Sequence, residues 1–204
     1  PQGDFAQLLQ EIRRCTLCGA HLPLEPRPIV RGAASAKLLI ISQAPGIRAH
    51  ETGLSFNDKS GERLRYWMGI GRDAFYDETR VAVMPIGFCY PGRTGSGDLP
   101  PRPECAPLWH PRIRRQLSRV ELTLLVGSYA IRHYLPHTRR ETLNSVLGRW
   151  REFLPQFIVL PHPSWRAAIW ERNHPWFAAE TVPDLRVRVA RLLSSSRSAP
   201  CPRR

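Results

Sequence analysis

Apolar residues along this chain follow two rhythms: short unbroken runs, and longer stretches in which they recur every three or four positions. The unbroken runs are KLLIISQ at 37–43, RVAVMPIG at 80–87, VELTLLVG at 120–127 and FIVL at 157–160. Runs of this length, bounded by turn-forming residues, read as strands buried on both faces. The helical rhythm occupies 5–14, 61–69, 107–118, 139–149 and 175–193. Pro107 falls in the first turn of its helix, where a missing N–H costs nothing, and Pro183 should kink or divide the last helix. Ser128 to Ile131 opens another helix directly after the third strand, and residues 22–30 are Pro-rich and extended.

Strands that alternate with helices, far enough apart for crossovers, predict an α/β protein. The expected architecture is three-layer α/β/α, with a central four-stranded, mostly parallel sheet. No internal repeat or second domain is visible, so residues 1–193 are expected to form one domain. Residues 194–204, SSSRSAPCPRR, have the composition of a disordered basic tail.

Composition narrows the partners. No apolar run reaches the length of a membrane span, and the first residues lack the layout of a secretory signal, so a cytoplasmic protein is expected. Net charge is +13, and all but two of the basic side chains (Lys37 and Lys59) are arginine. The planar guanidinium can donate two parallel hydrogen bonds to a phosphate, and neutralised phosphates release counterions. A polyanion, nucleic acid first, is the partner this surplus favours. A solvated surface in which Arg merely replaces Lys remains the plainer alternative.

Five cysteines in such a chain argue against a disulfide framework. Cys15 and Cys18 form a CxxC pair, and Cys89 and Cys105 bracket a long Pro/Gly-rich loop. Four thiolates suit either a [4Fe–4S] cluster or structural zinc, and the spacing does not choose between them. Four unrelated buried thiols are the plainer reading. Cys201 lies in the tail and is not expected to be a ligand.

The stretch LLIISQAPGIRAHETGLSFNDKSG at 38–61 organises the rest. A strand ends at an Ala44-Pro45-Gly46 turn, and ligands in open α/β sheets bind beyond the carboxyl ends of strands. That rule gathers Gln43, His50, Glu51, Phe56, Asn57 and Asp58. His162, Pro163 and Ser164 follow the fourth strand and would share the same edge. An imidazole opposite a carboxylate, with Phe56 as a flat wall, could hold a planar ring. Each part also has a structural reading: Asp58 as a helix cap, His162 as a strand stop, Phe56 as core.

In this order and spacing the motifs resemble the uracil-DNA glycosylase superfamily, most closely its iron–sulfur (family four) branch. The matching residues are Cys15/Cys18, SQAPG at 42–46, Gly53, Phe56, Ser60-Gly61, Cys89/Cys105 and His162-Pro163-Ser164, spanning about 8–193. GFCYPG and SGDLPPRPECAPLWH also look like a divergent bacterial branch known only as family proteins. The resemblance implies a monofunctional DNA-repair enzyme that flips uracil, or another deaminated base, and hydrolyses its N-glycosidic bond. It implies catalytic positions at Asp58, His162 and Gln43, and base contacts from Phe56, Asn57 and Ala44. Ser164, Trp165, Arg166, Arg93 and Arg102 would meet DNA, single- or double-stranded, with 165–169 supplying a wedge. A [4Fe–4S] cluster on Cys15, Cys18, Cys89 and Cys105 follows, with zinc as the less favoured occupant. A monomer working at a bacterial nucleoid completes the expectation.

The departures are informative. Gln43 stands where the branch has a water-positioning Glu, and Pro85 where it has a base-reading Asn. Asn57 and Asp58 are expected to compensate, one reading the base and the other orienting water. A covalent-trapping branch uses a His inside the long loop, and residues 90–104 contain none. Two other functions stay open: a catalytically inactive damaged-DNA-binding protein of the same fold, and a zinc-containing nucleic-acid module of other ancestry.

Overall fold

The four apolar runs pair into one parallel sheet. The computed structural model describes residues 2–95 and 97–194. Its strands are β1 (Leu38–Ile41), β2 (Val81–Val83), the two-residue strands β3 (Arg93–Thr94) and β4 (Gly97–Asp98), β5 (Leu122–Val126) and β6 (Phe157–Leu160). The main sheet has the order β2-β1-β5-β6 with every neighbour parallel, and β3 and β4 form a separate antiparallel hairpin. The helices are α1 (Gln2–Arg13), α2 (Ile47–Thr52), α3 (Lys59–Met68), α4 (Arg72–Tyr76), α5 (Cys105–Gln116), α6 (Ser128–Tyr134), α7 (Leu143–Gly148), α8 (Ala167–Asn173) and α9 (Val182–Ser194).

Side chains of a strand alternate between faces, and here both faces are covered. Leu39, Ile41, Ala82, Met84, Leu125 and Val159 pack against α1, α5, α6 and α7. Leu38, Ile40, Val81, Val83, Leu124 and Ile158 pack against α3, α4 and α9. The expected three-layer α/β/α sandwich is therefore observed.

Boundaries moved for local reasons. The helix expected at 61–69 begins at Lys59, because Asp58 caps it through a hydrogen bond from the Gly61 N–H at 2.9 Å. The helix expected at 139–149 shrinks to α7, started by Thr142, whose hydroxyl accepts from the Ser145 N–H. Where Pro183 was expected to break the last helix, a π-helical turn (Phe177–Thr181) leads into α9, and Pro183 sits in that helix's first turn. Pro85 ends β2 early, yet Met84 and Ile86 still donate to the Ile40 and Ser42 carbonyls, so the chain runs on beside the exit of β1. Ser194 closes α9, whereas the remainder of the expected tail, with Cys201, lies outside the described residues.

Candidate active site

A recess of about 90 Å³ opens beyond the strand ends, several times the ~10–15 Å³ that one water needs. Its lining is Ser42, Ala44, Pro45, Gly46, Ala49, Ser55, Phe56, Asn57, Asp58, Ser60, Pro85, Asp98 and His162. Ser42 follows β1, Pro85 follows β2 and His162 follows β6. The strand order reverses direction between β1 and β5, which is where an open α/β sheet leaves a crevice.

Phe56 is the pivot of one wall. Its φ of 57° is left-handed, a strained conformation for a bulky residue. Several contacts hold it there: Tyr76 Oη and Arg65 Nη1 donate to its carbonyl at 3.0 and 3.2 Å, and its ring meets Phe75 edge-on. Gly61 lies so close that a Cβ on it would stand 1.8 Å from the Phe56 carbonyl oxygen. Beneath this wall is Arg31, buried, donating to Phe75 O at 2.9 Å and to Ser55 Oγ and Val81 O at 3.3 Å. The Arg31 guanidinium also lies 5.0 and 4.9 Å from the ring centroids of Phe75 and Tyr76. Burial pushes its pKa down to about 10, which leaves it charged at neutral pH.

Asn57 accepts a hydrogen bond from Arg72 Nη2 at 3.0 Å. Arginine can only donate, so the amide oxygen faces Arg72 and the NH₂ is left to donate elsewhere. Asp58 caps α3 through Oδ1 and also lines the recess. The cap reading of this carboxylate is realised in its geometry, and the same residue borders the recess.

His162 completes the opposite side. Gly127 packs beside it with φ of 86°, a backbone conformation that favours glycine, and a Cβ there would make an ordinary 3.4 Å contact with the His162 Cβ. The imidazole keeps an exposed edge, yet the recess walls hem it in. Loss of hydration lowers its pKa below the ordinary 6.5, while Asp58 and Asp98 pull it back upward. The open edge keeps the dehydration partial, and the ring is neutral at pH 7.

Of the residues grouped from sequence, the recess gathers Ala44, Phe56, Asn57, Asp58 and His162. It does not gather Gln43, His50 or Glu51. Gln43 turns its amide nitrogen to the Leu99 carbonyl at 3.1 Å, tying down the β3–β4 hairpin. His50 and Glu51 fall in α2, where Arg27 binds both of their carbonyls. Pro85 forms a wall whose carbonyl is 3.0 Å from His110 Nε2, with His110 Nδ1 2.7 Å from Tyr134 Oη. Burial pushes His110 down to about 4, so a neutral ring donates to Pro85 and accepts from Tyr134.

Sequence reading missed Asp98. The hairpin that carries it has no alternating apolar flanks, and only the GSGD string at 95–98 hints at a turn. Among the residues expected at DNA, Trp165 is 72% exposed, with the Arg166 guanidinium 5.2 Å from its ring centroid, and Ile169 is also exposed. Ser164 is half-buried in the turn after His162, and Arg93 is exposed on β3. Arg102 instead grips Glu104 through two nitrogens, which engages the fork expected to meet phosphate.

Cys18, Cys89 and Cys105 are buried, Cys15 is half-buried, and all four are free thiols. Burial pushes Cys89 up to about 12 and Cys105 up to about 11, and the nearness of the other thiols adds to both shifts. Backbone N–H groups of Arg27 and Phe88 point at Cys89 and Cys105 respectively. Buried sulfurs close to one another, whose thiolates would repel, suit a group that supplies positive charge. Among the described residues, no group of three or more His, Cys, Asp or Glu side chains is arranged to hold a metal ion as it stands.

Taken together, these observations describe an α/β protein whose doubly covered parallel sheet carries a recess at its topological switch point. Residues 29–186 match the profile of the uracil DNA glycosylase superfamily, and the chain belongs to that superfamily. Its class is thus that of the glycosidases of DNA repair, and DNA is the partner on which the superfamily acts. Among the described residues, no helix is long and apolar enough to cross a membrane.

Proposed function

We propose that this protein is a monofunctional uracil-DNA glycosylase, acting as a monomer on a base swung out of the stack. The observation that carries the reading is the convergence of Phe56, Asn57, Asp58 and His162 on one recess. A base inside a duplex is out of reach, so flipping or single-stranded substrate is required. Phe56 stacks on the base, worth ~1–3 kcal/mol, while the Asn57 NH₂ donates to a base carbonyl. As the N-glycosidic bond breaks, its electron pair leaves with the base and the sugar turns positive. His162 donates to the oxygen that gains this charge, and Asp58 faces the sugar as the negative pole. The turn at Ala44 shapes the floor. Trp165, exposed beside Arg166, fills the vacated stack.

The test is release of free uracil from uracil-containing oligonucleotides, single- and double-stranded, beside hypoxanthine, xanthine and thymine lesions. Wild-type protein is expected to release uracil without forming a covalent adduct. Salt-dependent binding with no release of any base would favour a non-catalytic damage-binding protein, the reading that Gln43 and Pro85 motivate.

We also infer kinship with the iron–sulfur branch, with Cys15, Cys18, Cys89 and Cys105 holding a [4Fe–4S] cluster. The cluster would supply a structural tie between the N-terminal CxxC and the 89–105 loop. Protein purified without oxygen is expected to carry about four iron and four sulfide per chain, and Cys89→Ala to lose both. Zinc without iron would instead indicate a zinc-containing module.

A further inference from the structure

We propose that Asp98 is a second catalytic carboxylate, the one that takes the proton of the attacking water, and that Gln43 is its positioning residue. The inference rests on the glycosylase reading above. Asp98 lines the recess opposite the turn after β1, where its Oδ2 lies 3.5 Å from the position a Cβ on Gly46 would occupy. It is also near enough to His162 to raise that ring's proton affinity alongside Asp58.

Two ties fix the root of the hairpin. The Leu99 N–H donates to the Gly92 carbonyl at 2.9 Å, and the Leu99 carbonyl accepts from Gln43 Nε2 at 3.1 Å. Leu99 is the neighbour of Asp98, so the Gln43 amide sets where the carboxylate stands. An ionised Glu at 43 has no proton to donate and would set acceptor against acceptor. The amide at 43 and the carboxylate at 98 therefore work as a pair.

Asp58 is less suited to the proton's destination. Its Oδ1 already accepts from the Gly61 N–H at 2.9 Å, so that oxygen is committed to capping α3. Asp98 stands on an exposed hairpin that water can reach. In the step inferred, the water oxygen bonds to the sugar carbon as the C–N bond breaks. One water proton passes to Asp98 and from there to solvent, and the base leaves with the bonding electron pair.

The experiment is single-turnover uracil release by the full chain from a single-stranded oligonucleotide, at several protein concentrations. Asp98→Asn is expected to lower the saturating rate about 100-fold, with half-saturation moving less than about threefold. Gln43→Ala should lose about tenfold, and Asp98→Asn with Gln43→Ala should be no slower than Asp98→Asn alone. Gln43→Glu should be slower than wild type, although it restores the residue of the iron–sulfur branch. A wild-type rate for Asp98→Asn, losses that multiply in the double variant, or a faster Gln43→Glu would each overturn the proposal. If wild-type protein releases no base at all, the glycosylase reading fails instead, so the two failures are separable. Melting temperatures of the variants serve as the folding control, since Asp98 is exposed and its change to Asn should leave them near wild type.

Discussion

Replacing His162 with alanine is expected to slow base release about 10²–10³-fold, the usual cost of one donor aimed at developing negative charge. Folding cannot account for such a loss. The side chain has an exposed edge and belongs to neither hydrophobic cluster, so the melting temperature should barely move. His162→Gln, which keeps a donor, should recover part of the rate. The pH profile gives a second reading of the same ring. Burial lowers its pKa below 6.5, so it is neutral at pH 7 and gains its proton only in more acidic solution. The limb of the rate profile that it causes should lie below pH 6.5. Asp58→Asn should move that limb lower still, because the negative charge that favours protonation is gone. Single-turnover rates from pH 4 to 8 check both points. An unchanged rate for His162→Ala would show that the chemistry lies elsewhere.

Gly61→Ala should be the most damaging glycine-to-alanine change among the described residues, since its new Cβ would make the shortest contact. The new carbon would stand 1.8 Å from the Phe56 oxygen and 2.5 Å from its carbonyl carbon, and backbone cannot rotate aside as a side chain can. Either α3 retreats or the Phe56 loop does. Retreat of the helix breaks the Gly61–Asp58 cap, and retreat of the loop breaks the bonds from Tyr76 and Arg65. Overpacking of this kind costs about 1–3 kcal/mol, and loss of the cap adds about 1 kcal/mol. Denaturant unfolding should show a loss of about 2–4 kcal/mol. Excision measured well below the melting point should also fall at least tenfold, since Phe56 and Asp58 move together. A variant with wild-type stability would mean that the contact relaxes freely.

Much of this architecture can be read from the residues. LLII and FIVL, short apolar runs bounded by turn-forming residues, read as buried strands, and the sandwich they predicted is present. The turn at 44–46 was legible because Pro and Gly mark a tight turn, whereas the need for glycine at 61 shows only in its contact with the Phe56 carbonyl. What stayed hidden depends on contacts between distant segments. Nothing local in Gln43 says that its amide will reach Leu99, 56 positions away, rather than face the recess. Likewise, α2 is six residues long with no side-chain cap, too short for periodicity to reveal. Asp98 reaches the recess only because a two-residue ladder folds the loop back upon itself.

The buried Arg31 beneath Ser55 and Phe56 bears on kinetics as well as stability. Its bonds to the edge of β2, with those of Tyr76 and Arg65, immobilise the bed on which an extrahelical base would rest. The disorder of that bed is lost when the chain folds, so capture of a base need not arrange it again. Recognition on such a surface should be limited by how often the nucleotide presents itself, and little by rearrangement of the protein.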